Sequence, residues 1–260
     1  VRILITNDDG IRAPGLDVML EIARELAGVD GEVWTVAPEM EQSGVAHAVS
    51  YVNPMRLFKY SEDRFAVDGM PADCILAGIN EVMPEKPDLI LSGVNKGNNA
   101  AQNTLYSGTI GAAIEGALHG IKSIALSQFY GPANKDMDDP FEVARVHGAK
   151  AVKDLLDAGI WGEAPYGVFY NINFPPIPAA DCKGVKAVAQ GFRDNTEFHT
   201  VAETGPNGRR FLWVTMGSQH EATKPGTDVH ANLDGYISVT PMQADMTSHA
   251  HLSHLQEALK

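Results

Sequence analysis

An α/β fold, with a three-layer, mostly parallel sheet, a C-terminal β-hairpin and a helical tail, is predicted by three features of the sequence. Short apolar runs such as Val1–Ile5 and Leu89–Leu91 suit strands buried on both faces. Helix-period patterns alternate with these runs, as in βαβ units with right-handed crossovers. Beyond Pro178 the alternation stops and a hairpin pattern replaces it.

The first strand stops at Asn7-Asp8-Asp9-Gly10. A turn is the plainer reading, since these residues favour turns for local hydrogen-bonding reasons. Two carboxylates at the carboxyl end of a first strand also lie where open α/β sheets bind ligands. Pro14-Gly15 then leads into a helix with Leu16, Met19, Leu20, Ala23, Leu26 and Ala27 on one face. Glu32–Ala37 reads as the second strand, and the loop after it carries Ser43 to the mouth occupied by Asp8 and Asp9.

Residues 51–68 read as a small excursion of short strands: Tyr51-Val52, Met55–Tyr60 and Arg64–Val67. Pro71 opens a helix, with Asp73 well placed against its dipole. Asp88–Asn95 is the next strand and again ends in an oxygen ligand. Lys96-Gly-Asn-Asn99 and Tyr106-Ser-Gly-Thr109 follow, then a small-residue helix, Ile110–Leu118. Ser107 reads as a helix cap. The same geometry holds anions, because Gly108 and Gly111 leave the first turn open to approach.

Lys122–Ser127 supplies a strand, Pro140–Ala158 a helix and Gly167–Phe174 another strand, stopped by Pro175-Pro176. The Pro-rich stretch to Pro178 divides a Rossmann-like metal- and phosphate-binding core, residues 1–178, from an extension, residues 179–260, that completes the sheet and mediates assembly. In the extension Lys183–Ala189 is strand-like, Phe198–Glu203 and Arg210–Met216 flank a Gly205-Pro-Asn-Gly208 turn, and Tyr236–Thr240 is a final strand.

The chain of 260 residues, 44% hydrophobic and 20% charged, is long enough for a full core. Its formal net charge of −13 disfavours nucleic-acid polymers and anionic membranes, so a phosphate ligand should be small. Cys74 and Cys182 lack metal-type spacing and read as reduced structural thiols. With no leader-like segment and no apolar run of membrane-spanning length, a cytoplasmic location is expected. Dinucleotide, P-loop, serine-hydrolase and zincin signatures are missing. His249, His251 and His254 read as a solvated face of the tail, and Asp136, Asp138 and Asp139 as a solvated loop and helix start.

In order along the chain, Ile3–Gly10, Ala37-Pro38 with Ser43-Gly44, Pro71–Cys74, Ser92–Asn95, Tyr106–Thr109, Asn171–Pro175, Thr227-Asp228 and Ser238–Pro241 resemble the SurE family of survival-protein nucleotidases. The resemblance implies a phosphatase acting on nucleoside 5′- and 3′-monophosphates, and in some members on short polyphosphate. It implies one divalent metal held by Asp8, Asp9, Ser43 and Asn95, with Asn99, Ser107, Gly108 and Thr109 lining the phosphate site. Two departures stand out. Ala101 replaces a Gly of many relatives, and Glu39-Met-Glu-Gln42 is acidic where relatives often carry an Arg.

The donor types point the same way. Carboxylate, carboxamide and hydroxyl are hard oxygen donors suited to Mg²⁺ or Mn²⁺. A metal in such a site polarises a phosphoryl oxygen and activates water, with Lys96 and the helix start near Ser107 stabilising developing charge. Asp8 and Asp9 are thus the catalytic candidates. Attack by activated water is the favoured reading, with an aspartyl-phosphate on Asp8 left open. The alternative function is a nucleotide-binding regulator without turnover. The resemblance also implies a homodimer or homotetramer with residues 195–260 intertwined, and a cut near Thr227 is expected to leave soluble protein that is monomeric or aggregates.

Overall fold

The computed structural model describes residues 1–162, 166–194 and 196–260; Asn195, the first residue of the region expected to intertwine, lies outside the described residues. In chain order the elements are β1 (Arg2–Thr6), α1 (Pro14–Ala27), β2 (Glu32–Pro38), β3 (Leu57–Lys59), β4 (Arg64–Val67), α2 (Pro71–Ala77), β5 (Leu89–Lys96) and α3 (Gly108–Leu118). There follow β6 (Lys122–Gln128), α4 (Glu142–Ala158), β7 (Phe169–Phe174), β8 (Val185–Ala187), β9 (His199–Thr204), β10 (Arg210–Thr215), α5 (Asp228–Leu233), β11 (Ile237–Met242) and α6 (His249–Ala258).

The main sheet runs β3-β4-β2-β1-β5-β6-β7-β11-β8. From β4 to β7 every pairing is parallel. β3 pairs antiparallel with β4, and β11 antiparallel with β7. Alternation along β1 shows why its run is apolar throughout. Ile3 and Ile5 pack with Leu16, Met19 and Ile22 of α1 and with Val143 and Val152 of α4. Leu4 faces the other way, into Cys74 and Ile75 of α2 and Ala112 of α3. Each fully buried aliphatic side chain of this kind stabilises by about 1.5–3 kcal/mol. One period-2 strand therefore anchors both helical layers.

After β1 the chain builds β2 and β4 on one side and then returns to place β5 on the other side of β1. That reversal opens a crevice at the carboxyl ends of β1 and β5, the usual ligand position in such sheets.

Three sequence expectations are corrected. Tyr51-Val52 is exposed and forms no strand; it lies in the loop between Ser43 and β3. Arg64–Val67 is a parallel member of the main sheet beside β2, with Phe65 on Trp34. Residues 228–242, grouped by the sequence reading with the intertwined tail, form α5 and β11, and β11 lies between β7 and β8 in this chain's own sheet. A cut near Thr227 would remove the buried Ile237 and Val239, so loss of the fold is expected in place of a soluble product that is monomeric or aggregates. The expected β9–β10 hairpin is present, in a two-stranded sheet of its own.

Candidate active site

Asp8 and Asp9 leave the end of β1, and the amide of Gln42 donates to the Asp8 carbonyl at 2.7 Å, drawing the Ser43 loop over the strand end. β5 ends beside them, and the Lys96 amide donates to Asp9 Oδ2 at 2.9 Å. Across from both stands the start of α3, where Ser107 caps the helix by accepting from the Ile110 amide at 3.1 Å. Asp8, Ser43, Asn95, Lys96, Asn99 and Ser107 together line a cleft of about 370 Å³.

Asp8 is buried, at 5% exposure. Burial, with repulsion from Asp9 added, pushes its carboxyl up to about 6. Asp9 is raised as well, mainly by burial and further by Glu41, against the opposing amide and charge of Lys96. Among the described residues no basic side chain forms an ion pair with either carboxylate; Lys96 Nζ sits instead over the Tyr130 ring, 5.6 Å from its centroid. Two adjacent carboxylates held this way are electrostatically costly unless a cation joins them.

The neighbouring donors fit a hard divalent cation. Asn95 donates its amide to the Gly97 carbonyl at 3.0 Å, which orients its oxygen as the remaining ligand atom. Ser43 donates to Glu41 at 2.7 Å and keeps lone pairs for a cation. Among the described residues no cluster of three or more His, Cys, Asp or Glu side chains is placed to hold a metal. The candidate set of two carboxylates, one carboxamide and one hydroxyl is of the hard oxygen type that suits cations such as Mg²⁺ or Mn²⁺.

The structure changes the place of two expected phosphate contacts. Thr109 is fully buried behind Asp8. Its hydroxyl donates to Asp8 Oδ1 at 2.7 Å and its amide to Oδ2 at 3.2 Å, so it holds the carboxylate and does not line the cleft. Gly108 is needed for close approach. A Cβ there would lie 3.0 Å from Asp8 Cβ and 3.0 Å from Pro71 Cγ. Of the two acidic side chains in Glu39–Gln42 only Glu41 bears on the site, because Glu39 is engaged by Arg12 and Tyr60.

Several supporting residues carried no role in the sequence reading. Asn99 donates its side-chain amide to Ser127 at 2.9 Å, while its backbone amide donates to Asn173 Oδ1 at 2.8 Å. Its carbonyl accepts from Asn171 at 2.7 Å. Asn171 and Asn173 stand two apart on one face of the buried β7. Polar residues with period 2 in an otherwise apolar run were a readable signal, because buried amides must find partners. From the far side Asp228 accepts from the Ala101 amide at 2.9 Å, and buried Arg193 donates to the Ala100 carbonyl at 3.0 Å. Ala101 holds φ +52°, a left-handed conformation that Gly adopts without strain. The Gly-to-Ala departure thus leaves the loop in a glycine-like conformation.

An open α/β sheet whose reversal point sets two carboxylates against a capped helix start defines the class: an α/β protein with its candidate site at the strand ends. The chain belongs to the SurE family: the model for survival protein SurE matches residues 3–197. It is 58% identical over 257 residues to the 5′-nucleotidase SurE of Cereibacter sphaeroides, with 98% of each chain covered. Identity to the 5′-nucleotidase SurE of Ruegeria pomeroyi is 56% over 260 residues, covering 100% of both. The crystal structure of the SurE protein from Aquifex aeolicus matches at a TM-score of 0.81, with 34% identity and 100% of both chains covered.

Proposed function

We propose that this protein is a divalent-metal-dependent phosphomonoesterase acting on nucleoside 5′- and 3′-monophosphates, and on short polyphosphate. The observation that carries the reading is the Asp8–Asp9 pair, without a basic ion-pair partner among the described residues, with Asp8 held against the start of α3 and lining one cleft with Ser107 and Asn95. The names of the relatives as 5′-nucleotidases support the substrate class.

Asp8, Asp9, Ser43 and Asn95 would hold one Mg²⁺ or Mn²⁺. When bound, the ion supplies Lewis acidity and an activated water. Lys96, Asn99 and Ser107 orient the phosphoryl oxygens and offset the charge that builds on them, while Gly108 lets the helix start pack closely on Asp8. Thr109 fixes the Asp8 carboxylate through both of its oxygens, which favours attack by water over transfer to Asp8 itself. A regulator that only bound nucleotides would gain nothing from two adjacent anions beside the phosphate.

The exposed hairpin and tail support assembly into a homodimer or homotetramer. Val201, Leu212, Trp213 and Val214 are exposed on the hairpin, and α6 buries no residue in this chain. Among the described residues no helix is long and apolar enough to cross a membrane.

The substrate reading is tested by phosphate release from 5′-AMP, 3′-AMP, tripolyphosphate and p-nitrophenyl phosphate in the presence of Mn²⁺. Turnover of both nucleotides is expected. Cleavage of p-nitrophenyl phosphate alone would refute the nucleotide assignment.

A further inference from the structure

The cleft extends past the phosphoryl position. At about 370 Å³ it falls in the range of small-molecule sites, about 300–1,000 Å³, and its outer wall differs in chemistry from its floor. The floor is carboxylate, carboxamide and hydroxyl. The wall is Tyr106, Phe198 and Met216, each substantially exposed.

This wall comes from two distant parts of the chain. Tyr106 precedes the capping Ser107, whereas Phe198 comes just before β9 and Met216 just after β10. Both feet of the hairpin therefore stand at the cleft. The Tyr106 and Phe198 rings meet edge to face with centroids 4.6 Å apart. Asn103 donates to Gln219 Oε1 at 2.6 Å, and the Gln219 amide lies 2.9 Å from Met216 Sδ, so the second foot is tied to the phosphate-side loop.

We propose that Tyr106, Phe198 and Met216 seat the nucleobase of the substrate, an inference that rests on the phosphomonoesterase reading. A flat heteroaromatic ring gains from aromatic faces and from a polarisable thioether. The nearby amide nitrogens are already engaged, that of Asn103 with Gln219 Oε1 and that of Gln219 with Met216 Sδ and the Gly217 carbonyl, so the seat selects by stacking and not by a fixed hydrogen-bond code. Purines are favoured over pyrimidines, and both over a substrate with no base. The hairpin, which the sequence presents only as an assembly element, thereby contributes to substrate recognition.

The test compares kcat/KM for AMP, UMP and ribose 5-phosphate in the Mn²⁺-loaded wild type, Phe198→Ala and Phe198→Tyr. Stacking on one aromatic side chain is worth about 1–3 kcal/mol per base, so Phe198→Ala should lower the AMP to ribose 5-phosphate selectivity ratio about tenfold, mainly through KM for AMP. Phe198→Tyr should restore the ratio to near wild type. An unchanged ratio in Phe198→Ala would overturn the seat. A second readout is the fluorescence of 2-aminopurine riboside 5′-monophosphate, which stacking quenches. Quenching by the wild type that is lost in Phe198→Ala upholds the seat, and equal quenching by both overturns it. Absence of phosphate release from all three substrates by the wild type would refute the phosphomonoesterase reading, and the quenching alone would then decide the seat.

Discussion

The loop from Asn98 to Tyr106 and the hairpin from His199 to Thr215 are both segments outside the main sheet, yet the chain treats them in opposite ways. The loop is tied from several sides by Asn171, Asn173, Arg193 and Asp228, all buried. The hairpin satisfies its own backbone through six paired positions but leaves Phe211, Leu212, Trp213 and Val214 exposed. A loop cross-linked by buried hydrogen bonds is suited to hold reacting groups still, since each amide left without a partner would cost about 1–3 kcal/mol. A hairpin without a buried face is marginal alone and is suited to a surface supplied by another molecule. The contrast separates a segment that the chain ties down by itself from one whose apolar side chains it leaves exposed, the face the proposed assembly would cover.

The largest expected effect breaks the first region at its charged centre. Asp8→Asn and Asp9→Asn should each lower kcat by about a thousandfold or more, because each removes a charge from the site of transition-state stabilisation. Circular dichroism should show both variants folded. Near-normal rates in both would remove the metal assignment.

Gly108→Val comes next, with a loss of about a hundredfold. Its Cβ would press on Asp8 and Pro71, so the effect should fall on kcat as Asp8 moves, and not only on KM. Steady-state kinetics that show a pure KM effect would place the anion contact at Gly108 itself.

The second region is tested by Leu212→Ser with Val214→Ser, two exposed positions on the same face of β10. Light scattering at micromolar concentration should show a multiple of the chain mass for the wild type and a lower mass for the variant. A wild type that is a stable monomer would contradict the assembly reading.

A smaller effect concerns pH in metal-free protein. Burial and Asp9 push the folded Asp8 carboxyl up to about 6 from its ordinary value of 3.8, so between those values the folded chain binds more protons than the unfolded chain. Stability therefore falls as pH rises through that window, by an amount on the order of 3 kcal/mol. Asp8→Asn lacks this slope and should be the more stable protein in EDTA at pH 7.5, with the advantage shrinking by pH 4.5. Urea melts at the two pH values check this, and a constant difference would show that Asp8 carries no such penalty.

The smallest effect is Ala101→Gly. Relief of a left-handed alanine and loss of a buried methyl group nearly offset each other, so stability should change by less than about 1 kcal/mol.

What was legible in the sequence follows from the range of the forces involved. The strands β1, β2, β5, β6 and β7 could be read because burial demands mostly apolar runs, and Asp8 and Asp9 stood out where the unbroken run of β1 stops. Ser107 was readable as a cap because capping is local. The role of Thr109 was not readable, since its hydroxyl reaches a residue 101 positions away. Asp228 meets Ala101 over 127 positions, and only the folded sheet brings them together. Arg64–Val67 looked like an excursion because a short edge-side strand has little pattern of its own. Tyr51-Val52 looked like a strand because two β-forming residues carry local propensity without a partner to pair with.

The central claim is that Asp8 and Asp9 form a cation site on which phosphate release depends. Phosphate release from AMP by protein stripped with EDTA, followed by titration with Mn²⁺, tests it most directly. The account predicts negligible release from the stripped protein and full recovery on adding Mn²⁺, with no recovery in Asp8→Asn. Undiminished release in EDTA, or equal recovery in Asp8→Asn, would contradict it.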